Sequence, residues 1–171
     1  MQLTFTKTGK KHNWVRGVRR DGSEVSFPWP DTGATPPHDL VHGVIEQVFG
    51  LRGGFWGLVD EGFDVARVKN AAVQATLGML RDGARDTTEL AQAEALVSYF
   101  TSQMYAPDLD DAMRAELLRA MFEPWHVAPP VSFDARSELH ARNELSEWTA
   151  RWHALRPGES LTLALDSALT R

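Results

Sequence analysis

The period of the hydrophobic pattern changes twice along the chain, and this change limits the fold more than any other feature. Near the amino terminus, Leu3 and Phe5 alternate with polar neighbours, and Leu161, Leu163 and Leu165 do the same near the carboxyl terminus. A two-residue period is typical of a strand with one buried face. In the long segment between them, apolar residues recur every three or four positions, which indicates amphipathic helices. The pattern predicts an α+β fold in which both ends of the chain supply one small antiparallel sheet.

The first thirty residues predict a three-stranded antiparallel meander. Its strands are expected at residues 2–8, 12–20 and 24–27. Asp21-Gly22 is a two-residue hairpin signal between the second and third strands. In the second strand, either Trp14 or Val15 is expected to face inward. The carboxyl-terminal strand, residues 160–167, is expected to join the meander and complete a four-stranded sheet.

The helical body, residues 36–155, is predicted to contain four to five helices that pack on this sheet. Thr35, Pro36 and Pro37 have the character of a helix start, and Gly50 is well placed to end that helix in a left-handed conformation. Later helices are expected after Asp64, after a capping box at residues 86–89, after Asp108 or Asp110, and after Asp134 or Ser137. The helix that begins at Asp64 is expected to reach about Arg81.

The buried faces of the last two helices follow from their apolar spacing. The inward residues are predicted to be Met113, Leu117, Ala120 and Met121 in one helix, and Ala141, Leu145, Trp148 and Trp152 in the other. Residues 125–134 between them are expected to form an ordered, extended linker whose apolar residues pack. No composition shift divides the chain, so residues 1–171 are predicted to be a single domain.

Composition excludes several classes of protein. The chain of 171 residues has no cysteine, which excludes disulfides, thiolate metal sites and a cysteine nucleophile. The first eleven residues lack an apolar stretch, so no signal peptide is expected, and no apolar run is long enough to predict a membrane span. We therefore expect a soluble cytoplasmic protein without a membrane partner. Self-association stays open at this stage, because any of the six tryptophans could anchor an interface.

Residues 36–62 contain the strongest candidate site. His38, His42 and Glu46 follow one another at intervals of four residues in the predicted first helix. Two histidines with this spacing can bind one divalent metal ion, with zinc or manganese as the candidates. The sequence is not the HExxH signature, because Asp39 occupies the glutamate position. Asp39 is expected to orient a ligand or to cap the helix.

A metal site would need a ligand from another part of the chain. Because a helix rises about 1.5 Å per residue, His38 and Glu46 lie about 12 Å apart and cannot easily share an ion. His38 with His42, or His42 with Glu46, would therefore supply only two ligands. The candidates for a third are His126, His140, Glu123, Asp60 and Glu61. The alternative is structural, with His38 in the first turn and His42 bonded to a neighbour at the edge of the core.

Glycines surround two aromatic residues directly after this helix, in the sequence GLRGGFWG at residues 50–57. Such glycines favour tight turns or close approach of the backbone to other groups. The segment lacks the lysine and hydroxyl residue of a phosphate-binding P-loop and the spacing of a dinucleotide fingerprint. A structural role for the glycines is one interpretation. A ligand-contacting loop that includes Trp56 is the other.

Charge is unevenly distributed along the chain. Residues 1–30 contain six Lys or Arg and two acidic residues, whereas residues 31–171 contain twelve and twenty-one. The acidic body should repel nucleic acid, so only the meander could attract it. Lysine and arginine on edge strands also prevent aggregation, and the acidic body offers them internal partners.

These observations leave three hypotheses for the function. The first is a small binding or interaction domain whose surface includes the helix and glycine-aromatic loop of residues 36–62. The second is a metal-dependent, hydrolase-like enzyme in which His38 and His42 bind the ion and Glu46 or Glu144 acts as base on a metal-bound water. The third is nucleic-acid contact through the basic meander. No motif in the sequence fixes a substrate.

Overall fold

The computed structural model describes residues 1–30, 36–76, 86–106 and 108–165, with the side chains of 74–76 excepted. Its strands are β1 (Gln2–Thr6), β2 (His12–Val18), β3 (Glu24–Pro30) and β4 (Ser160–Ala164). Its α-helices are α1 (His38–Phe49), α2 (Phe55–Asp60), α3 (Val65–Thr76), α4 (Thr88–Tyr105), α5 (Asp111–Phe122) and α6 (Ala135–Ala154). A 3-10 turn, Glu123–Trp125, follows α5. The predicted α+β fold is confirmed.

The four strands form one antiparallel sheet in the order β3-β2-β1-β4. β4 pairs with β1, with Leu163 opposite Leu3 and Leu161 opposite Phe5. The predicted union of the two chain ends is therefore confirmed. The strand residues with apolar side chains on one face are buried, and Val15 of β2 lies fully inside the same core. The period-two pattern arises because only this face is covered by helices.

Helix α1 lies against the covered face of the sheet at Gly43. A Cβ atom at this position would lie 2.7 Å from Leu163 Cδ2 and 3.3 Å from Leu3 Cδ1, so the helix backbone itself contacts the strands. The helix also packs against α2, α4 and α6. Nine of its twelve residues are buried. Polar side chains on α1 therefore need partners within the protein, because most of the helix surface is closed to water.

Several predicted helix boundaries are confirmed by their hydrogen bonds. Asp64 accepts from two backbone N–H groups at the start of α3, and Asp110 caps α5. Asp134 and Ser137 form a reciprocal capping box at α6. Gly50 ends α1 with φ of 69°. The four apolar residues predicted to line α6 are all buried: Ala141, Leu145, Trp148 and Trp152.

Two local predictions for the first half of the chain are wrong in detail, and the choice between Trp14 and Val15 is resolved. The β2–β3 loop has three residues, because Arg19 N–H bonds to the Ser23 carbonyl and Gly22 takes a left-handed φ of 83°. This is the three-residue hairpin geometry, and not the two-residue turn that Asp21-Gly22 suggested. Trp14 is 47% exposed, so Val15 is the inward residue. The segment predicted as a glycine-aromatic loop includes helix α2.

The predicted capping box at residues 86–89 is not formed. Asp86 accepts a hydrogen bond from the Thr88 backbone, while Glu89 accepts from the Gly53 backbone instead of closing the box. Glu89 thereby connects α4 to the loop after α1. The tertiary contact prevails because it satisfies a donor in a partly buried loop.

The face predicted to be buried in α5 is only half confirmed, because Leu117 and Met121 pack against the core and the other two residues do not. Met113 is 54% exposed and Ala120 is also exposed, whereas Phe122 is buried. The helix lies at the edge of the molecule and contacts chiefly α4, so one apolar stripe has no cover. In the linker, Val131 is fully exposed, although Trp125, Val127 and Phe133 pack against the core. Three predicted signals lie outside the described residues: Thr35, Arg81, and strand residues 166–167.

Candidate metal centre

Three side chains from two helices meet at the buried side of α1. They are His38 and His42 of α1 and Glu94 of α4. One nitrogen or oxygen atom of each lies within 4.8 Å of the others, and His42 Nε2 lies 3.5 Å from Glu94 Oε2. The two imidazole rings have centroids 4.7 Å apart. Two imidazoles and one carboxylate form a donor set that suits zinc and other divalent transition metals.

Glu46 occupies the other side of the His42 ring. Its Oε1 lies 3.4 Å from His42 Nδ1, in a geometry that falls short of a hydrogen bond. Its Oε2 accepts hydrogen bonds from the backbone N–H groups of Trp56, at 2.9 Å, and Gly57, at 3.2 Å. The carboxylate is therefore held between a helix and a loop. His42 lies between two carboxylates, one facing each ring nitrogen.

The loop after α1 reaches Glu46 because it contains glycine. A Cβ atom at Gly54 would lie 2.6 Å from Glu46 Cδ, so no larger residue fits without moving the carboxylate. The Trp56 indole N–H donates to the Asp39 carbonyl at 2.7 Å, which ties α2 back to the first turn of α1. Gly54 thus serves a structural purpose, although its closest contact is Glu46 and not an aromatic ring. Trp56 is fully buried, and its backbone and indole N–H groups hold Glu46 and Asp39 of α1 in place.

Two carboxylates and burial together determine the pKa of His42. Burial alone would lower the pKa of His42, but Glu46 and Glu94 outweigh it and raise that pKa to about 10. Burial raises the pKa of Glu46. Burial would also raise the pKa of Glu94. The contact with His42 and its positive charge outweigh burial, so the pKa of Glu94 is lowered. His42 without an ion is therefore an imidazolium paired with carboxylate.

The pKa values of His38 and Asp39 are shifted from their ordinary values in opposite directions. Burial and the neighbouring His42 lower the pKa of His38 to about 4, so its imidazole is neutral at pH 7 and able to bind a metal. Burial raises the pKa of Asp39 to about 6. Asp39 is 2% exposed, and its Oδ2 has no hydrogen-bond partner in the described part of the chain. No side chain caps the start of α1, so Asp39 does not act as the cap.

The structure brings together His38, Asp39, His42, Glu46 and Trp56, the five residues of the predicted candidate site. Within the described residues, the third side chain of the group that could hold a metal ion is Glu94, which was not among the predicted ligands. His126 and His140 are exposed and lie outside that group, as do the other predicted third ligands, Glu123, Asp60 and Glu61. The alanines on either side of Glu94, Ala93 and Ala95, indicate a buried stretch of helix, but they do not show which side chains Glu94 faces.

The basic residues of the meander are largely engaged by the chain itself. Arg20 forms an ion pair with Asp60 at 2.6 Å, and Arg16 forms one with Glu24 across the sheet. The Arg19 guanidinium donates to the Val59 carbonyl at 2.6 Å, and Lys7 donates to the Trp152 carbonyl at 3.3 Å. Asp60 is an internal partner of the kind expected from the acidic body, whereas Glu24 belongs to the meander itself. These contacts leave fewer cations to face a nucleic-acid backbone.

No family model, curated protein or solved structure matches this chain. Among the described helices, none is both long and apolar enough to cross a membrane. Function must therefore be argued from the site itself.

Proposed function

We propose that this chain is a metalloprotein that holds one divalent ion between His38, His42 and Glu94. One observation supports this most strongly: each nitrogen of the buried His42 faces a different carboxylate. Metal-binding histidines characteristically give their second N–H to a carboxylate or carbonyl, which fixes the ring and its tautomer. Glu46 stands in that position on Nδ1. Nε2 is then left to share an ion with Glu94 and His38.

The donor set makes zinc the first candidate and manganese the second. Two histidines and one glutamate form a three-ligand zinc site of the catalytic type, in which a fourth position stays open for water or substrate. Ligands from α1 and α4 would be fixed by helix packing, so the site would be rigid on two sides. One donor pair, His42 Nε2 and Glu94 Oε2, is separated by 3.5 Å. Metal–ligand bonds of about 2.0–2.2 Å would bridge that gap.

Such an ion would supply a Lewis acid and a bound water of lowered pKa, which is the chemistry of hydrolysis. Asp39 lies outside the metal-ligating group, but it would be available to hold a proton beside such an ion. It follows His38 in the chain, its buried Oδ2 has no partner within the described residues, and burial raises its pKa to about 6. Glu46 is tied to the backbone of the loop, so it serves orientation better than proton transfer. Glu144, the other base considered, is a half-buried residue of α6 outside the metal-ligating group.

Elemental analysis of untagged full-length protein, purified without chelators, tests the proposal. We expect about one zinc or manganese per chain in the wild type and in His140→Ala, which removes an exposed histidine. Glu94→Gln and His42→Ala should lose the ion. Glu94→Gln is the sharper variant, because it keeps the side-chain volume and leaves His42 in place.

The opposite result would restore a different hypothesis. If the wild type binds no metal after dialysis against zinc and manganese, the buried His42 between two carboxylates is a structural ion pair. The chain would then be better studied as a binding or interaction domain. If Glu94→Gln keeps its metal while His42→Ala loses it, the ligand set proposed here is wrong.

A further inference from the structure

Lys69 of α3 carries a positive charge beside the candidate metal centre. Its ammonium nitrogen lies 4.6 Å from the ring centroid of Phe27, 5.0 Å from that of Trp29 and 5.9 Å from that of Phe55. Cation–π contacts of this kind hold an ammonium group in place without neutralising it. Within the described residues, no carboxylate forms an ion pair with Lys69. The charge is therefore available to a ligand.

The rings that hold Lys69 also contact both histidines of the candidate centre. The Trp29 ring stacks on His38, with centroids 5.7 Å apart and planes 11° apart. The Phe55 ring packs on His42 at 5.5 Å. The ammonium group and the metal-binding imidazoles thus lie against the same two rings. In keeping with this proximity, the charge of Lys69 acts to lower the pKa values of His38, Asp39 and Glu94. For Asp39, burial has the larger and opposite effect.

A second donor beside this cation has no acceptor. The indole N–H of Trp29 is buried and without a hydrogen-bond partner in the part of the chain that the structure describes. Buried polar groups in proteins are nearly always satisfied, so an orphan donor at a site indicates a missing acceptor. Trp29 is the ring that contacts both Lys69 and His38. One cation and one neutral donor therefore lie at the same indole ring.

We infer that Lys69 and the Trp29 indole N–H form a receptor for the carboxylate of a small ligand that also reaches the metal ion. A carboxylate carries one charge and two acceptor oxygens, which matches one ammonium and one N–H donor. The aromatic walls suit an apolar group attached to that carboxylate. A phosphate dianion has more charge and more acceptor oxygens than one ammonium and one N–H donor can match by themselves. This inference rests on the proposed metal centre and names the class of molecule that the centre would act on.

The test uses full-length protein loaded with cobalt(II), whose visible spectrum reports on ligands at or near the ion. Benzoate is the probe, and benzamide is its uncharged counterpart. We expect benzoate to cause a saturable spectral change and benzamide to cause little. Lys69→Met should weaken benzoate binding by roughly tenfold to a hundredfold, because a charged hydrogen bond is lost. Lys69→Arg should retain most of the affinity.

Controls separate this inference from the metal proposal. Cobalt content and thermal stability are measured first for every variant, and Lys11→Met serves as the matched loss of an exposed lysine. Equal cobalt content with weaker benzoate binding only in Lys69→Met supports the inference. If benzoate and benzamide bind alike, or if Lys69→Met binds benzoate as the wild type does, the carboxylate receptor is wrong while the metal centre stands. If the wild type takes up no cobalt, both proposals fail.

Discussion

The chemistry of the site depends on which residue faces each nitrogen of His42. Glu46 and Glu94 are both carboxylates near the same ring, but their surroundings differ. Glu46 is almost fully buried and bound by backbone N–H groups, whereas the Glu94 side chain is 17% exposed. The first is a fixed acceptor that can orient the ring. The second is accessible enough to bind an ion together with His38.

Glu46→Gln should weaken metal binding without abolishing it. Glutamine keeps the shape and can still accept from the Trp56 backbone, but it loses the negative charge that fixes the His42 tautomer. Removal of such a supporting partner costs about tenfold to a hundredfold in metal affinity. Competition with a chelating dye measures the effect. Glu144→Gln is the control and should bind like the wild type, and equal affinity in the two variants would contradict the role given to Glu46.

Metal uptake should release a proton at neutral pH. The pKa of His42 is raised to about 10 in the ion-free chain, so His42 Nε2 must lose its proton before it can bind an ion. His38, with a pKa of about 4, has no proton to lose at pH 7. Affinity should therefore rise about tenfold per pH unit up to about pH 10, and fall as the pH is lowered.

Calorimetric titration at pH 7.5 in buffers of different ionisation enthalpy counts this proton. About one should be released per ion in the wild type and in His140→Ala. Metal binding without proton release would show that His42 is already neutral before the ion binds. The raised pKa of His42 would then be incorrect.

At the scale of elements, the site is made where α1 meets α4 and the loop that leads into α2. The sequence predicted α1 well, because its apolar spacing and Gly50 are local signals. It also placed His38, Asp39, His42 and Glu46 on one helix. It could not identify Glu94, which lies about fifty residues further on, because the pairing of α4 with α1 is a tertiary contact that no local pattern records. The same limit explains Glu89, whose partner lies in the loop after α1.

Gly57→Ala should destabilise the protein through this loop. A Cβ at Gly57 would lie well inside van der Waals contact with the Arg52 carbonyl oxygen, which is backbone and cannot rotate away. The loop must move, and Glu46 would lose the donors at Trp56 and Gly57. We expect a loss of about 3 kcal/mol in the free energy of unfolding, at the upper end for overpacking, together with weaker metal binding.

Urea unfolding measures this cost, and Gly158→Ala is a matched control. Gly158 has a left-handed φ of 92°, but a Cβ there would meet no atom within 4 Å. Its substitution should cost only the conformational strain of about 1 kcal/mol. A cost for Gly57→Ala no greater than that for Gly158→Ala would show that the loop adapts freely and does not fix Glu46.

At the scale of the whole molecule, one hydrophobic cluster joins the sheet to the helices. It includes Leu3 and Leu163 of the strands, Ile45 of α1, Leu96 of α4 and Trp152 of α6. The alternation at the two chain ends was enough to predict the sheet, since each strand has one covered face. The outer face of α5 was not predictable in the same way, because an apolar stripe does not show whether a neighbouring element will cover it.

An ion shared between α1 and α4 should stabilise this common core. Binding to the folded state alone at a free metal concentration of one hundred times Kd adds about 2.7 kcal/mol. For a chain of this size, each kcal/mol raises the Tm by about 2–4 °C, so zinc should raise the Tm by roughly 5–10 °C. Circular dichroism and tryptophan fluorescence should report the same shift, because helices, sheet and buried tryptophans share one core.

The matched variant decides whether that stabilisation arises at the proposed centre. Glu94→Gln removes a ligand charge but keeps the volume, so its Tm should not respond to zinc, whereas Glu144→Gln should respond like the wild type. An equal rise in all three proteins would indicate that zinc binds elsewhere on the acidic surface. A rise seen only when His42, His38 and Glu94 are all intact would show that two helices, distant in sequence, are joined by one ion.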